Sequence, residues 1–163
     1  MSGPTATQTN PAPFSVEIWF QTTTTRGGKL IGFADARTGQ SGRYDRHLYL
    51  ANNGQLYFGV YAGAVRTFTG PSAYNDGRWH HAVATLSPTA GMALYVDGAV
   101  VATDANTKTA ENYAGFWRIG YDNVNGWTSQ PASFFLAGSL AYPAVYTVAL
   151  TAVQVRARYL AGT

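Results

Sequence analysis

A hairpin signal in the middle of the chain constrains its fold more than any other feature. Residues 75–84 read NDGRWHHAVA, a turn-forming triplet followed by a strand that begins with an aromatic residue. Residues 94–98 read LYVDG, so a second strand ends at an Asp-Gly pair, a dipeptide typical of the tight turn between paired strands. The two segments together predict an antiparallel hairpin.

The composition supports an all-β protein. The chain has 163 residues, enough for one domain with a sizeable core, and 46% of them are hydrophobic and 14% aromatic. Its 18 glycines and 11 tyrosines are typical of a chain with many turns, whereas a helical bundle needs more Leu, Glu and Lys. Short apolar segments alternate with turn signals along the sequence, which predicts a β-sandwich.

The hydrophobic pattern places the individual elements. Residues 14–20 alternate, with one predicted core face formed by Phe14, Val16, Ile18 and Phe20. Further strands are predicted at 29–34, 47–50, 55–61, 65–69, 79–86, 92–96, 100–102 and 116–121, with one or two more in 134–146. Long loops are expected at 35–45, 103–114 and 122–133. Thr151 begins a short predicted helix through Tyr159, with Gln154 at capping-box spacing.

Charge and cysteine content exclude several classes of protein. The net charge is +3, because acids are few, and the Lys and Arg residues are scattered rather than gathered into the dense basic stripe that nucleic acid requires. There is no cysteine, so disulfides play no part. No apolar run approaches the length of a membrane span, so neither nucleic acid nor membrane insertion is expected.

Residues 1–13 are predicted to be a linker or an irregular N-terminal edge, since they are rich in Pro, Thr and Ser. They lack the basic and apolar regions of a signal peptide. We therefore expect either a domain of a larger extracellular or cell-surface protein, or a part of a virion.

An ordered series of segments carries a family resemblance. The series reads FSVEIWF (14–20), GGKLIGF (27–33), YDRHLYLANNGQLYFGVY (44–61), the central hairpin, WRIGYDN (117–123) and AVYTVALTAVQVRARY (144–159). It resembles the laminin-G-like domains of the concanavalin A-like lectin/glucanase group, in particular bacterial and actinobacterial ones. The resemblance implies an antiparallel jelly-roll sandwich over residues 14–163 with a short C-terminal helix. One departure is GSLAYP at 138–143, where the family usually has Gly-x-x-Asp-Glu-Val.

Catalysis is not expected. A retaining glucanase of this fold needs two carboxylates about 5–5.5 Å apart, usually read as E-x-D-x-x-E, and none of the 8 acids forms that pattern. The G-x-S-x-G pattern of a serine nucleophile is also missing. The three histidines, at 47, 80 and 81, lack regular zinc-ligand spacing, and alternation predicts that one of the adjacent pair points inward and the other outward.

Calcium is the metal that the resemblance implies, at the rim of the sandwich. Asp45 occupies the position before the "hLyL" strand where the family holds an Asp ligand. Asp122 and Asn123, together with Asn125, would supply oxygens from another loop. The simpler explanation is that such Asx-rich segments form turns.

Aromatic residues around the same loop predict a sugar platform. Tyr121 and Trp127 stand beside Asp122 and Asn125. Around Asp45, the residues that would join them at the rim are Arg43, Tyr44 and Arg46. The alternative is that these aromatics pack the loop onto the sandwich, and that Arg43 and Arg46 are surface ion-pair partners. Trp79 is expected in the core.

The predicted function is non-catalytic recognition of a glycan, or adhesion to a cell-surface or virion protein, on this loop rim. The alternative is a structural or assembly module, such as a phage capsid or tail decoration domain or a spacer in a large surface protein. Glycoside hydrolysis is a remote third hypothesis.

Overall fold

The computed structural model describes residues 7–162, which form eleven strands and one helix. In chain order the elements are β1 (Gln8–Thr9), β2 (Phe14–Gln21), β3 (Gly28–Ala34), β4 (Tyr44–Leu50), β5 (Gln55–Tyr61), β6 (Val65–Ala73), β7 (Trp79–Ser87), β8 (Gly91–Val96), β9 (Ala99–Asp104), β10 (Ala114–Ile119), β11 (Ser139–Tyr146) and α1 (Ala152–Ala161).

Two antiparallel sheets pack face to face. One has six strands in the order β1-β10-β3-β4-β5-β6, and the other has five in the order β11-β2-β7-β8-β9. The predicted fold class, an antiparallel β-sandwich of the concanavalin A-like kind with a short C-terminal helix, is confirmed. Within the described residues no helix is long and apolar enough to cross a membrane.

The core lies between the sheets and follows the alternation predicted for β2. Its inward side chains are all fully buried, namely Phe14, Val16, Ile18 and Phe20. They pack against apolar residues of the six-stranded sheet such as Leu30, Phe33 and Phe58. Each large side chain buried in this way contributes roughly 1.5–3 kcal/mol to stability.

The central hairpin pairs β7 with β8, and the next turn, between β8 and β9, is Asp97-Gly98. Both turn residues have positive φ, +52° and +76°, as a tight two-residue hairpin turn of this twist requires. The Asp97 carboxylate also accepts hydrogen bonds from the His81 backbone N–H and from the His80 ring, each at 2.8 Å. The turn and the hairpin are therefore connected by side-chain bonds.

The two adjacent histidines point to opposite sides of β7, as alternation predicts, and both are buried. His80 lies between the carboxylates of Asp97 and Asp76, and the bond to Asp97 raises its pKa. His81 faces the other way and lies 2.8 Å from Glu17, on the outer face of the five-stranded sheet under α1. Each ring has a carboxylate partner on its own side of β7.

Helix α1 begins as its sequence predicts. Thr151 is the N-cap, and its side chain and that of Gln154 form the reciprocal capping box. The helix places Val155 against Val83 and Tyr95 on the outer face of the five-stranded sheet. Its C-terminal end, capped by Gly162, therefore lies over β2 near Trp19.

The N-terminal segment packs along the edge of the six-stranded sheet. Residues 8 and 9 pair with Ala114 and Gly115 of β10, and the Asn10 backbone N–H donates to the carbonyl of Tyr113. The part of the predicted linker at residues 1–6 lies outside the described residues.

Candidate binding site on the loop rim

The loop between β10 and β11 covers the outer face of the six-stranded sheet. Trp127 is the residue that packs it there, since it is only 6% exposed and shares a cluster with Tyr49, Tyr57 and Val124. Its indole meets the His47 ring edge to face at 4.4 Å. Trp127 therefore stabilises the loop, which is the simpler of the two explanations considered for it, and it offers little surface to a ligand.

Asp122, from the same loop, is fully buried and has its own donors. It accepts hydrogen bonds from the Ser41 backbone N–H (3.0 Å), the Ser41 hydroxyl (2.8 Å) and the Asn123 N–H (2.7 Å). Lys29 Nζ and Arg118 Nη1 lie 3.7 and 3.8 Å from its Oδ2. The single carboxylate thus lies near two cationic side chains beneath the loop.

Lys29 is a buried cation that belongs to this layer. Burial lowers its pKa to about 7, against the opposing effect of the Asp122 carboxylate. Its Nζ also lies 3.4 Å from the Asn123 carbonyl. A charge so far from water depends on its partner for stability.

Arg46 is turned into the protein by an irregularity in β4. The register between β3 and β4 shifts at this point, and Arg46 has φ +51°, so the strand does not alternate here. The side chain is fully buried, with its guanidinium 5.1 Å from the Phe33 ring centre. It donates to the Pro11 carbonyl (3.1 Å), to Asn10 Oδ1 (2.9 Å), to the Glu111 carbonyl (2.9 Å) and to Asp45. It therefore closes the end of the sandwich under the N-terminal segment.

The residues predicted to hold calcium do not fit a calcium site. Asp45 is buried against Arg46 and also accepts from the backbone N–H groups of Tyr61 and Glu111, at 3.3 and 3.2 Å. Asp122 is surrounded by its own donors, and Asn123 Oδ1 accepts from the Asn125 N–H. Ca²⁺ needs 6–8 oxygen ligands. The side-chain oxygens of Asp45, Asp122 and Asn123 already accept hydrogen bonds from N–H groups of the protein, so they are not free to coordinate it. Within residues 7–162 no group of three or more His, Cys, Asp or Glu side chains is placed to hold a metal.

The predicted sugar-binding residues are separated in the structure. Tyr121 stacks on Phe135, with ring centres 3.9 Å apart, and lines a different depression from that of Asn125 and Trp127. Arg46 and Asp122 are inaccessible. Only Asn125 of the predicted set is exposed, and the structure does not bring Arg46, Tyr121 and Asp122 together with it on one open platform.

Asn125 belongs instead to a cleft of about 310 Å³ that we call the rim cleft. It is lined by Gly42, Arg43, Tyr44, Tyr61, Val65, Glu111, Asn125, Gly126 and Trp127. Arg43 is held by Glu111 through two bonds of 3.1 and 2.8 Å, and its guanidinium lies 4.8 Å from the Tyr113 ring centre. The Tyr44 hydroxyl donates to the Asn125 carbonyl at 3.0 Å, which fixes the loop to β4.

Two residues of the rim cleft escaped sequence reasoning. Tyr61 ends β5 and is 38% exposed, and Glu111 lies in the polar loop before β10. Neither stands near the Asx-rich segment in the sequence, so no local pattern connects them to it. The strand pattern over residues 55–61 is the only local signal that concerns Tyr61, because it places this residue at the end of a strand.

A sequence model of the concanavalin A-like lectin/glucanases superfamily, of the laminin G type, matches residues 2–156. The chain belongs to this superfamily. The resemblance predicted from the ordered segments is thus confirmed. No curated protein matches this laminin-G-like chain in sequence.

Solved structures similar to this laminin-G-like domain include proteins that bind sugars. The carbohydrate-binding module CBM40 of the Ruminococcus gnavus IT-sialidase is 17% identical, with a TM-score of 0.71 over 92% of this chain and 84% of that one. The same module is also known bound to α2,3-sialyllactose. The heptameric SAP-like pentraxin of Limulus polyphemus is 22% identical, with a TM-score of 0.63 over 91% of this chain and 71% of that one. At these identities the likeness shows the fold alone.

The laminin-G-like chain also resembles one part of a larger enzyme. The Trypanosoma rangeli sialidase is 17% identical with a TM-score of 0.64, and the match covers 92% of this chain but 23% of the sialidase. The structural neighbours therefore include carbohydrate-binding modules, without specifying a ligand for this chain.

Proposed function

We propose that this domain is a non-catalytic glycan-binding module that uses the rim cleft, as a domain exposed outside the cell or on a virion. One observation carries the proposal. An exposed tyrosine ring, a fixed arginine–glutamate pair and the exposed Asn125 line the same concavity. Sugar recognition needs this combination of an aromatic surface for C–H groups and preorganised polar groups for hydroxyls.

The polar part of the cleft is held before any ligand arrives. Glu111 fixes the Arg43 guanidinium, and the Tyr113 ring supports it from below. A fixed donor loses little side-chain entropy when a hydroxyl or carboxylate binds. Asn125 lines the same cleft from the loop that Trp127 packs down.

Recognition fits this cleft better than hydrolysis. Glu111 is the one carboxylate among the described residues that line it, and that carboxylate is paired with Arg43. A glycosidase needs two carboxylates across the scissile bond, one of them as a proton donor.

The test is binding of the purified domain to an array of neutral and sialylated oligosaccharides, with calcium and then with chelator. We expect binding in both buffers, reduced about tenfold or more in Arg43→Ala and Tyr61→Ala. Asn125→Asp, which keeps the loop turn, is a third probe of the cleft. Phe135→Ala is the matched control, because Phe135 is an exposed aromatic outside the cleft. Unchanged binding by Arg43→Ala and Tyr61→Ala would overturn the proposed site.

An assembly module is the second candidate. It is supported by apolar side chains on the outside of α1 and just before it, where Val148 and Val153 are exposed. This candidate predicts self-association or a protein partner, and light scattering after size exclusion tests it. A glycan array without binding, together with an oligomer that Val153→Lys dissociates, would replace the first candidate with this one.

A further inference from the structure

A second concavity, which we call the aromatic groove, lies on the outer face of the five-stranded sheet. Its volume is about 480 Å³, and the described residues that line it are Trp19, Trp79, Ala141, Tyr142, Tyr159 and Gly162. Four of these six are aromatic, and the groove is on the opposite sheet from the rim cleft. Nothing in the loop-rim hypothesis uses these residues.

The register of three neighbouring strands builds the groove. Trp19, at the outward parity of β2, lies opposite Ala141 of β11 on one side and His81 of β7 on the other. The next outward position of β2, Gln21, lies opposite Trp79. Because Ala141 has only a methyl group, the surface beside the Trp19 indole remains open toward β11.

The floor of the groove is packed against helix α1. The Trp19 indole stacks on Tyr159 of α1, with ring centres 5.8 Å apart and planes at 18°. Gly162 completes the support, since a Cβ added there would lie 2.6 Å from Trp19 Cζ2. The helix C-terminus can therefore approach the indole only because residue 162 has no side chain.

One wall of the groove is Tyr142, which a bulge presents to solvent. The register of β11 against β2 shifts between Ala141 and Ala144, and Tyr142 has φ +48° and is 79% exposed. A non-glycine residue rarely adopts this conformation, and strained residues of this kind cluster at binding sites. Bulges next to functional sites commonly redirect one side chain.

The other wall is Trp79, the first residue of β7. It is 44% exposed, which corrects the expectation that it belongs to the core. Strands β7 and β11 lie on either side of β2, so their backbones are about 10 Å apart. The two exposed rings therefore line the groove from the strands on either side of the Trp19 indole.

We propose that the aromatic groove binds a neutral pyranose unit of an oligosaccharide. The apolar C–H faces of a pyranose contact aromatic surfaces, while its hydroxyls remain at the open side of the groove in water. No charged side chain is among the described residues that line it, which favours a neutral sugar over an acidic one. The site is independent of the rim cleft, so either one can fail without the other.

The experiment follows the tryptophan indole N–H signals of the ¹⁵N-labelled domain by NMR during titration with lactose, cellohexaose, laminarihexaose, mannohexaose and 3′-sialyllactose. Trp79→Phe assigns the Trp79 signal and retains an aromatic ring. We expect the Trp79 and Trp19 signals to move with at least one neutral oligosaccharide. Trp79→Ala and Tyr142→Gly are each expected to weaken that binding about tenfold.

The choice of variants separates loss of a ring from loss of the fold. Glycine suits the positive φ at residue 142, so Tyr142→Gly removes the ring without adding backbone strain. Tyr142→Phe keeps the ring and should bind as the wild type does. Arg43→Ala, in the rim cleft, should leave the groove titration unchanged even if it abolishes binding on the array.

Three results would overturn the proposal. The first is that no neutral oligosaccharide moves the Trp79 signal at millimolar concentration. The second is a shift that persists undiminished in the double variant with Trp79→Ala and Tyr142→Gly. The third is a concentration-dependent dimer that the double variant dissociates, because it would assign the groove to a protein contact.

Discussion

On the outer face of the six-stranded sheet Trp127 is buried under a loop, whereas on the outer face of the five-stranded sheet Trp79 stands in solvent. The first face also holds the buried Lys29 beside the Asp122 carboxylate, and a second buried pair, Arg46 with Asp45, closes the end of the sandwich. The second face exposes aromatic rings around a groove with no charged lining residue among those described. Tryptophan therefore packs a loop on one face and is exposed to solvent on the other. The charged residues Asp45, Arg46 and Asp122, which the sequence suggested for a binding rim, are buried inside the protein.

The largest expected effect is in the buried ion pair at the end of the sandwich. Asp45→Ala leaves the Arg46 guanidinium buried without its carboxylate, and we expect a loss of about 3–5 kcal/mol in the free energy of unfolding. Urea unfolding followed by fluorescence measures it. Asp104→Ala, which removes only a turn-forming carboxylate, is the control and should cost about 1 kcal/mol. Equal losses in the two variants would show that the buried Asp45–Arg46 pair stabilises the fold no more than the carboxylate of the Asp104 turn does.

The two tryptophans test the comparison directly. Trp127→Ala should destabilise the domain by about 3–5 kcal/mol, because it leaves a cavity between the loop and the sheet. Trp79→Ala should cost less, about 1 kcal/mol, since nearly half of Trp79 is exposed. Thermal and urea unfolding of both variants provide the measurement. A reversed order of stability would contradict the assignment of Trp127 as the buried tryptophan and Trp79 as the exposed one.

The buried lysine of the first face gives a pH dependence. Folded Lys29 has a pKa of about 7 because it is buried, against 10.5 in the unfolded chain. Between these values the unfolded chain binds more protons, so the contribution of Lys29 to stability rises with pH from about 7 upward. Unfolding of Lys29→Met between pH 6.5 and 9 should lack this rise relative to the wild type. Parallel pH profiles of the wild type and Lys29→Met would refute this role of Lys29.

His80, on the five-stranded sheet, should show the opposite sign. Its hydrogen bond to Asp97 raises its folded pKa above the ordinary 6.5. Its stabilising effect is therefore fully present below about pH 6.5 and is lost as the pH rises through the folded pKa. The stability difference between wild type and His80→Gln should shrink over that interval. A difference independent of pH would mean that the ring has the same pKa in the folded and the unfolded chain, which would contradict the raised folded value.

The smallest expected effect is that of calcium. Since Asp45, Asp122 and Asn123 are occupied by internal donors, exchange of calcium for chelator should leave the melting temperature of the wild type unchanged within error. Differential scanning calorimetry in the two buffers is sufficient. A clear rise with calcium would place a cation site on other residues of the domain.

Much of the fold was accessible from local patterns. The β2 alternation, the Asp97-Gly98 turn and the Thr151 capping box each depend on a few adjacent residues, and the structure contains all three. The candidate site was less accessible. Proximity in sequence suggested that Tyr121, Asp122 and Trp127 share a platform, but the loop bends each toward a different neighbour.

The sequence by itself determined the strand periods, the turns, the helix cap and the family, because these depend on backbone preferences and hydrophobic alternation over short spans. Only the tertiary structure decided which tryptophan is buried, which carboxylates are neutralised and where a bulge presents Tyr142. The physical reason is that exposure and charge pairing depend on residues far apart in the chain. Arg46 bonds to Asn10 and Glu111, and Trp79 and Tyr142 meet at one groove across β2.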